Sequence, residues 1–167
     1  VDSAEEENIQ AIIENARKTN PDAVVVRGKS PLDVPDPGAI AGKRVLAVED
    51  GPTTTHGGMA FGAGVLAARR NGAAELVDPR PWAVGEIAET FEHYPDTGAL
   101  LPAMGYGDSQ VRDLEATINA VDCDLVIVAT PIDLTRILKI NKPFQRIGYR
   151  LEEEGDALVN AVTGVAG

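Results

Sequence analysis

Two short runs made wholly of apolar residues, Val45–Val48 and Leu125–Ala129, constrain the fold more than any other feature of the chain. A strand with one wet face alternates apolar and polar residues. A run without alternation is buried on both faces, as in a parallel sheet layered between helices. The intervening segments supply those helices: Gly58–Arg70, closed by Asn71-Gly72, then Val84–His93, then Ser109–Ala120 with Val111, Leu114 and Ile118 on one face. Ala74–Val77 reads as a further strand, Ala99–Met104 as irregular or short extended chain, Leu134–Leu138 as a short helix and Phe144–Leu151 as the last strand. The expected class is α/β: a mostly parallel sheet with helices on both faces, a Rossmann-like three-layer arrangement. Aromatic residues make up only 4% of the chain, so Val, Ile, Leu and Ala must fill its core.

The first thirty residues have a different rhythm. Ser3 and Glu6 form a capping box, and Ile9, Ile12, Ile13 and Ala16 follow at helical spacing until Asn20-Pro21-Asp22 stops the helix. Ala23–Val26 is β-branched and reads as a buried strand. Gly28-Lys29-Ser30 resembles the end of a phosphate loop, but the first glycine of that pattern is Ala23 here and the prolines after Ser30 forbid the required helix. Pro31–Gly38 is the best linker candidate. The division expected is therefore 1–30, a linker over 31–43, an α/β domain over 44–154, and a tail over 155–167 with loose helix at Ala157–Val162. The opening Val1-Asp2, with no methionine, reads as a cut from something longer.

Charge excludes some functions. The net charge is −11, with 26 acidic against 15 basic residues, so nucleic-acid binding is not expected. No apolar run approaches the roughly 20 residues that span a bilayer, so no membrane role is expected. One cysteine, Cys123, excludes an internal disulfide and fits a reducing cytoplasm. Its neighbours Asp122 and Asp124 should raise the thiol pKa. No Cys/His spacing suggests zinc. Arg outnumbers Lys in this acidic chain, which suits a salt-rich, halophilic cytoplasm.

Four segments carry candidate chemistry. In Glu49–Gly58, two carboxylates end a strand and can hold Mg²⁺, the amides of Gly57 and Gly58 suit an anion, Thr53 and Thr55 offer hydroxyls, and His56 can move a proton or meet phosphate. The structural alternative is a tight turn with capping threonines. In Asp78-Pro79-Arg80-Pro81-Trp82, the prolines aim Arg80 toward an anion, or Arg80 simply pairs with Asp78. In Pro102–Gly107, glycines flank Tyr106, whose phenol can donate to a ligand unless the segment is a plain turn. After Thr130-Pro131-Ile132-Asp133, where Thr130 and Asp133 read as caps, Arg136 and Lys142 are the better partners for an anion. His93, at a helix end, reads as structural.

Three blocks, VLAVEDGPTTTHGGMAFGAG, ELVDPRPWAVGEI and ALLPAMGYGDSQVRDLEATINAVDCDLVIVATPIDLTRILKINKP, resemble the carboxyl-terminal part of a microbial family of predicted P-loop GTPases. That family is related to archaeal cyclic 2,3-diphosphoglycerate synthetase, and the resemblance runs to Glu154. It implies a Rossmann-like domain and a P-loop domain before this region. Asp2 would then be the nucleotide-base carboxylate, and Ser3–Ser30 the last helix and strand of the P-loop domain. The synthetase relatives use ATP and Mg²⁺ to close a phosphoanhydride. The resemblance therefore implies that Glu49, Asp50, Thr53, Thr55, His56, Arg80, Arg136 and Lys142 belong to a phosphorylated-substrate site. The expected function is the substrate side of an ATP- or GTP-dependent phosphoryl-transfer enzyme, with no nucleotide hydrolysis by this chain alone. The alternatives are a ligand-sensing regulatory module, or a structural domain that packs the P-loop unit or builds a homo-oligomer.

Overall fold

The computed structural model describes residues 4–56, 60–153 and 155–165. Along the chain its elements are α1 (Glu6–Thr19), β1 (Gly28–Lys29), β2 (Leu32–Asp33), β3 (Arg44–Asp50), α2 (Gly51–Thr55), α3 (Ala63–Arg70), β4 (Glu75–Leu76), α4 (Gly85–His93), β5 (Leu101–Ala103), α5 (Asp108–Ala120), β6 (Leu125–Ala129), β7 (Phe144–Arg146), β8 (Gly148–Tyr149), β9 (Glu152–Glu153) and α6 (Ala157–Val165). They form two compact units: Val1–Asp33 with Tyr149–Gly167, and Val34–Gly148.

The larger unit is an α/β domain around a parallel sheet of order β4-β3-β6-β7. Its central strands are the two apolar runs. Val45–Glu49 of β3 pair residue for residue with Leu125–Ala129 of β6. The opposite edge of β3 is shared: β4 bonds its start at Arg44 and Val45, and β5 bonds its end from Val48 to Asp50. Pro102 sits in the middle of β5 and lacks an N–H, which an edge strand tolerates. That proline is why the sequence pattern leaves this segment irregular.

Both sheet faces are covered, as two alternation-free runs require. Leu46, Val48, Val126 and Val128 pack against Ile87 and Phe91 of α4 and Leu114 and Ile118 of α5. On the other face Ala47 and Leu100 pack against Val65 of α3. The helix α3 ends where Gly72 turns back with φ +73°, its N–H donating to the Arg69 carbonyl at 3.3 Å.

Several boundaries differ from expectation. The segment after β3 is no open loop, because Gly51–Thr55 coils into a helical turn with Pro52 at its start. The next helix begins at Ala63. The last sheet strand stops at Arg146.

In the smaller unit, β1 and β9 pair antiparallel, Gly28 with Glu153 and Lys29 with Glu152. The expected strand Ala23–Val26 forms no ladder, and Val24 is 69% exposed. A β-branched run favours extended chain, but without a neighbouring strand there is nothing to bond. Of the α1 apolar face only Ile9 is buried, and Ile12 is exposed. Glu5 occupies the N-cap position of α1 with no side-chain cap bond; the Ser3 half of the expected capping box lies outside the described residues, as does Asp2. The tail helix α6 falls in this unit.

Leu46 has no exposed surface and sits between β6 and the α4–α5 layer. Leu46→Ala should lower unfolding stability by about 2–5 kcal/mol. Urea denaturation reads this as a lower midpoint at unchanged slope.

Candidate functional site

Because β3, β4, β5, β6 and β7 all run parallel, the segments following Asp50, Leu76, Ala103 and Ala129 leave the sheet at one edge. Ligands of open α/β sheets sit at this carboxyl edge.

Glu49 does not face a ligand there. It is 2% exposed, and its Oε1 accepts the Val65 N–H at 2.8 Å, with the amides of Gly64 and Gly62 also directed at the carboxylate. These are first-turn amides of α3, so the anion at this helix terminus is the protein's own. The glycines are explained by the same contact. A Cβ on Gly62 would lie 2.4 Å from Glu49 Oε2, and one on Gly64 would lie 3.1 Å from Oε1. Burial pushes the Glu49 pKa up to about 7, against the pull of those amides, and the neighbouring Asp50 charge adds a little.

Asp50 turns elsewhere, its Oδ2 accepting from the Thr53 hydroxyl at 2.6 Å. The two carboxylates expected to hold Mg²⁺ therefore turn to different partners, Glu49 to the amides of α3 and Asp50 to the Thr53 hydroxyl. Glu49 spends its oxygens on backbone amides, and among the described residues no group of three or more His, Cys, Asp and Glu gathers to hold a metal. Gly57 and Gly58 lie outside the described residues.

His56, the residue after α2, joins a chain of hydroxyls. Thr55 Oγ1 donates to the Gly51 carbonyl at 2.8 Å, which uses its only proton. The 3.0 Å contact between Thr55 Oγ1 and His56 Nδ1 is then a bond donated by Nδ1. In the neutral ring Nε2 is left to accept, and Tyr94 Oη lies 3.1 Å from it. Tyr94, which sequence reasoning missed, is thus a functional candidate. Its only sequence signal is an aromatic between a helix end and Pro95, since the contact with His56 is made across 38 residues.

Arg80 is a structural clamp. Its Nη1 is 3.0 Å from both Asp78 oxygens, and its Nη2 donates to the carbonyls of Pro95 and Thr97. The guanidinium also lies 4.8 Å from the Phe91 ring centroid. These contacts consume the fork that an anion would need. They hold the turn that follows Tyr94.

Lys142 is likewise committed. It precedes the parallel strand β7, at the amino edge of the sheet, and its Nζ donates to the Asn119 carbonyl at 2.6 Å. A cation near the end of α5 is favourable to the helix, but it is remote in topology from the carboxyl edge. Arg136 does follow β6 at the carboxyl edge, where Arg136 and Arg146 both act on Asp133, whose pKa is lowered chiefly by its bond from Thr135. Tyr106 feels the Asp50 charge, but its pKa is raised mainly by burial. Asp133 caps the short helical turn that follows it, as expected, and His93 Nδ1 bonds the Glu89 carbonyl at 2.8 Å. The Cys123 thiol is pushed up as expected, though by burial first and by Asp124 less.

The structure therefore brings together Asp50, Thr53, Thr55, His56 and Tyr94, with Tyr106 within reach of the Asp50 charge. Beside them is a hollow of about 220 Å³ lined by Thr54, Thr55, Ala60, Tyr94, Asp96 and Thr97 among others. The Thr97 hydroxyl is buried and has no hydrogen-bond partner among the described residues. Such a group costs about 1–3 kcal/mol when left unsatisfied.

No protein-family model matches the chain, and no solved structure matches it. Among curated proteins the chain is 52% identical over 162 residues to arginine synthetase ArcE of Thermococcus kodakarensis. The match takes in 97% of this chain and 36% of the relative, so the chain spans little more than a third of that protein's length.

Glu49 carries a pH signature. Its folded pKa of about 7 lies above the ordinary 4.5, so the folded state holds the proton more tightly than the unfolded. The stability it contributes is fully present below pH 4.5 and is lost as pH rises through 7. Between these limits Glu49→Gln should flatten the fall in stability by up to roughly 3 kcal/mol, read from urea melts of both proteins across pH. A separate variant, Arg80→Ala, should cost about 1–3 kcal/mol by leaving the part-buried Thr97 carbonyl unpaired. Thermal unfolding measures it.

Proposed function

We propose that this chain is the substrate-facing part of a longer nucleotide-dependent synthetase, and that its active surface is the carboxyl edge around His56 and Tyr94. The observation that carries this reading is the 52% identity, across nearly the whole chain, to a protein named arginine synthetase. ATP or GTP would bind the remainder of the longer protein, in a reaction of the type shared with cyclic 2,3-diphosphoglycerate synthetase, in an archaeal cytoplasm. Mg²⁺ would be held there too, since Glu49 is turned into the fold.

The smaller unit supports the same reading. Ile12, Val24, Val25, Val159 and Val162 are exposed there, and Val24–Val26 joins no strand ladder among the described residues. As the last helix and strand of a P-loop domain, this unit would be covered and paired by the rest of that domain.

At the carboxyl edge the residues divide the work. Arg136, with Arg146 beside the same Asp133, is the cation left for an anionic or phosphorylated group of the substrate. Asp50 with Thr53, and Tyr106 in its field, line the approach. Tyr94 and His56 form a proton relay: the phenol faces the substrate and the imidazole takes its proton, held in one tautomer by Thr55.

In the longer protein, His56→Ala should lower kcat by about 100-fold or more while the nucleotide KM stays near the parental value. Steady-state kinetics with varied nucleotide measures both. An unaltered kcat would remove the relay from the mechanism.

A further inference from the structure

Tyr94 stands at the loose end of an element. It is the residue that closes α4, with φ −125° and ψ 68°, and Pro95 follows it. Its N–H donates to the Thr90 carbonyl at 2.9 Å, and its carbonyl accepts the Thr97 N–H at 3.1 Å. Both bonds are local to the end of α4, so neither ties Tyr94 to another element.

Arg80 makes that tie. Its guanidinium donates to the carbonyls of Pro95, at 3.1 Å, and of Thr97, and it lies 4.8 Å from the Phe91 ring centroid. These contacts bracket Tyr94 in the chain, with Phe91 before it and Pro95 and Thr97 after it. The arginine is itself held. Pro79 and Pro81 flank it, and Pro79 is buried. Its N–H donates to Asp78 Oδ1 at 3.1 Å, and its Nη1 is 3.0 Å from both Asp78 oxygens. Just upstream, the Val77 N–H donates to the Val45 carbonyl of β3 at 2.9 Å. One end of this strut is thus anchored to the central strand and the other to the end of α4. Only a planar fork reaches two carboxylate oxygens and two carbonyls at once; an ammonium is a point charge on a flexible stem.

What the strut places is a phenol. Tyr94 Oη lies 3.1 Å from His56 Nε2, with ring centroids 5.3 Å apart and planes tilted by 53°. His56 cannot follow a moving partner freely, because its Nδ1 is committed to Thr55. A displacement of about 1 Å at the end of α4 is enough to break such a bond.

We propose that Arg80 is a positioning residue: by holding Phe91, Pro95 and Thr97 it sets where Tyr94 meets His56, and so fixes the hydrogen bond between them. Its effect on turnover rests on the reading of Tyr94 and His56 as the proton relay of the carboxyl edge. Its effect on the hydrogen bond does not.

The chain has two histidines, His56 and His93, so its imidazole spectrum is simple. Long-range ¹H–¹⁵N correlation spectra of the 167-residue chain, taken where both rings are neutral, read the proton on each ring nitrogen. Parental His56 should show a protonated Nδ1 and a bare Nε2, as its bonds to Thr55 and Tyr94 require. Arg80→Lys keeps the charge and loses the fork, and should move the His56 Nε2 signal toward its protonated value. Tyr94→Phe removes the phenol oxygen alone and should produce the same change. The double variant should show no more than either single one. His93, whose Nδ1 bonds the Glu89 carbonyl within α4, should keep its signals in all three. If Arg80→Lys does not fold, Asp78→Asn carries the same test: it sits at an exposed position, loosens the fork and should give the same change at smaller amplitude. An unmoved His56 signal in the folded variants, an equal change at His93, or additive effects in the double variant would each overturn the proposal.

In the longer protein Arg80→Lys should lower kcat by about tenfold or more, with the nucleotide KM near the parental value. The same substitution should add little once Tyr94→Phe is present; an equal further fall there would also overturn the proposal. The spectra need neither substrate nor turnover. A moved His56 signal together with an unaltered kcat in His56→Ala would end the relay and leave the positioning role intact, whereas an unmoved signal would end the positioning role alone.

Discussion

The carboxylate of Glu49, pressed against the first turn of α3, is the contact on which the carboxyl edge depends. It closes the end of the central strand, receives the amides of Val65, Gly64 and Gly62, and fixes where α3 starts. Gly62 and Gly64 have no side chains because the carboxylate fills that space. A buried carboxylate is expensive to desolvate, and three backbone donors offset that cost only in part, so its pKa remains high. The helix terminus that a glycine-rich segment would otherwise offer to a phosphate is already satisfied from within.

That internal anion changes how the neighbouring residues are understood. With α3 met by Glu49, the hydroxyls and the imidazole left at this edge belong to the preceding turn of chain, Gly51–His56, and to the segment that meets it, Tyr94–Thr97. Gly51 lets this turn lie against β5: a Cβ there would sit 2.5 Å from the Ala103 carbonyl. Arg80 then braces the other side by gripping the Pro95 and Thr97 carbonyls. The result is a small hollow lined by Thr54, Thr55, Tyr94 and Thr97 among others.

The relative named arginine synthetase shares nearly all of this chain's length but is almost three times as long, by the 36% share that is matched. The small unit leaves Ile12, Val24, Val159 and Val162 exposed.

How much was legible beforehand follows from the range of the interactions. The runs Val45–Val48 and Leu125–Ala129 determined a parallel sheet buried on both faces, because only that environment takes strands with no polar side. The helices α4 and α5 were equally plain, since their apolar faces are written at local spacing. Residue type also located Asp50, Thr55 and His56 at the end of a strand. Tertiary structure alone decided what each charge does. Glu49 and Arg80 looked like ligands because carboxylates and guanidinium groups bind ions, yet both found backbone partners first. Lys142 lay on the wrong edge because it enters a parallel strand instead of leaving one. Tyr94 gained its place only through a contact with His56. Hydrophobic periodicity is a local property and survives in the sequence; the pairing of a polar group depends on whichever partner the folded chain carries to it.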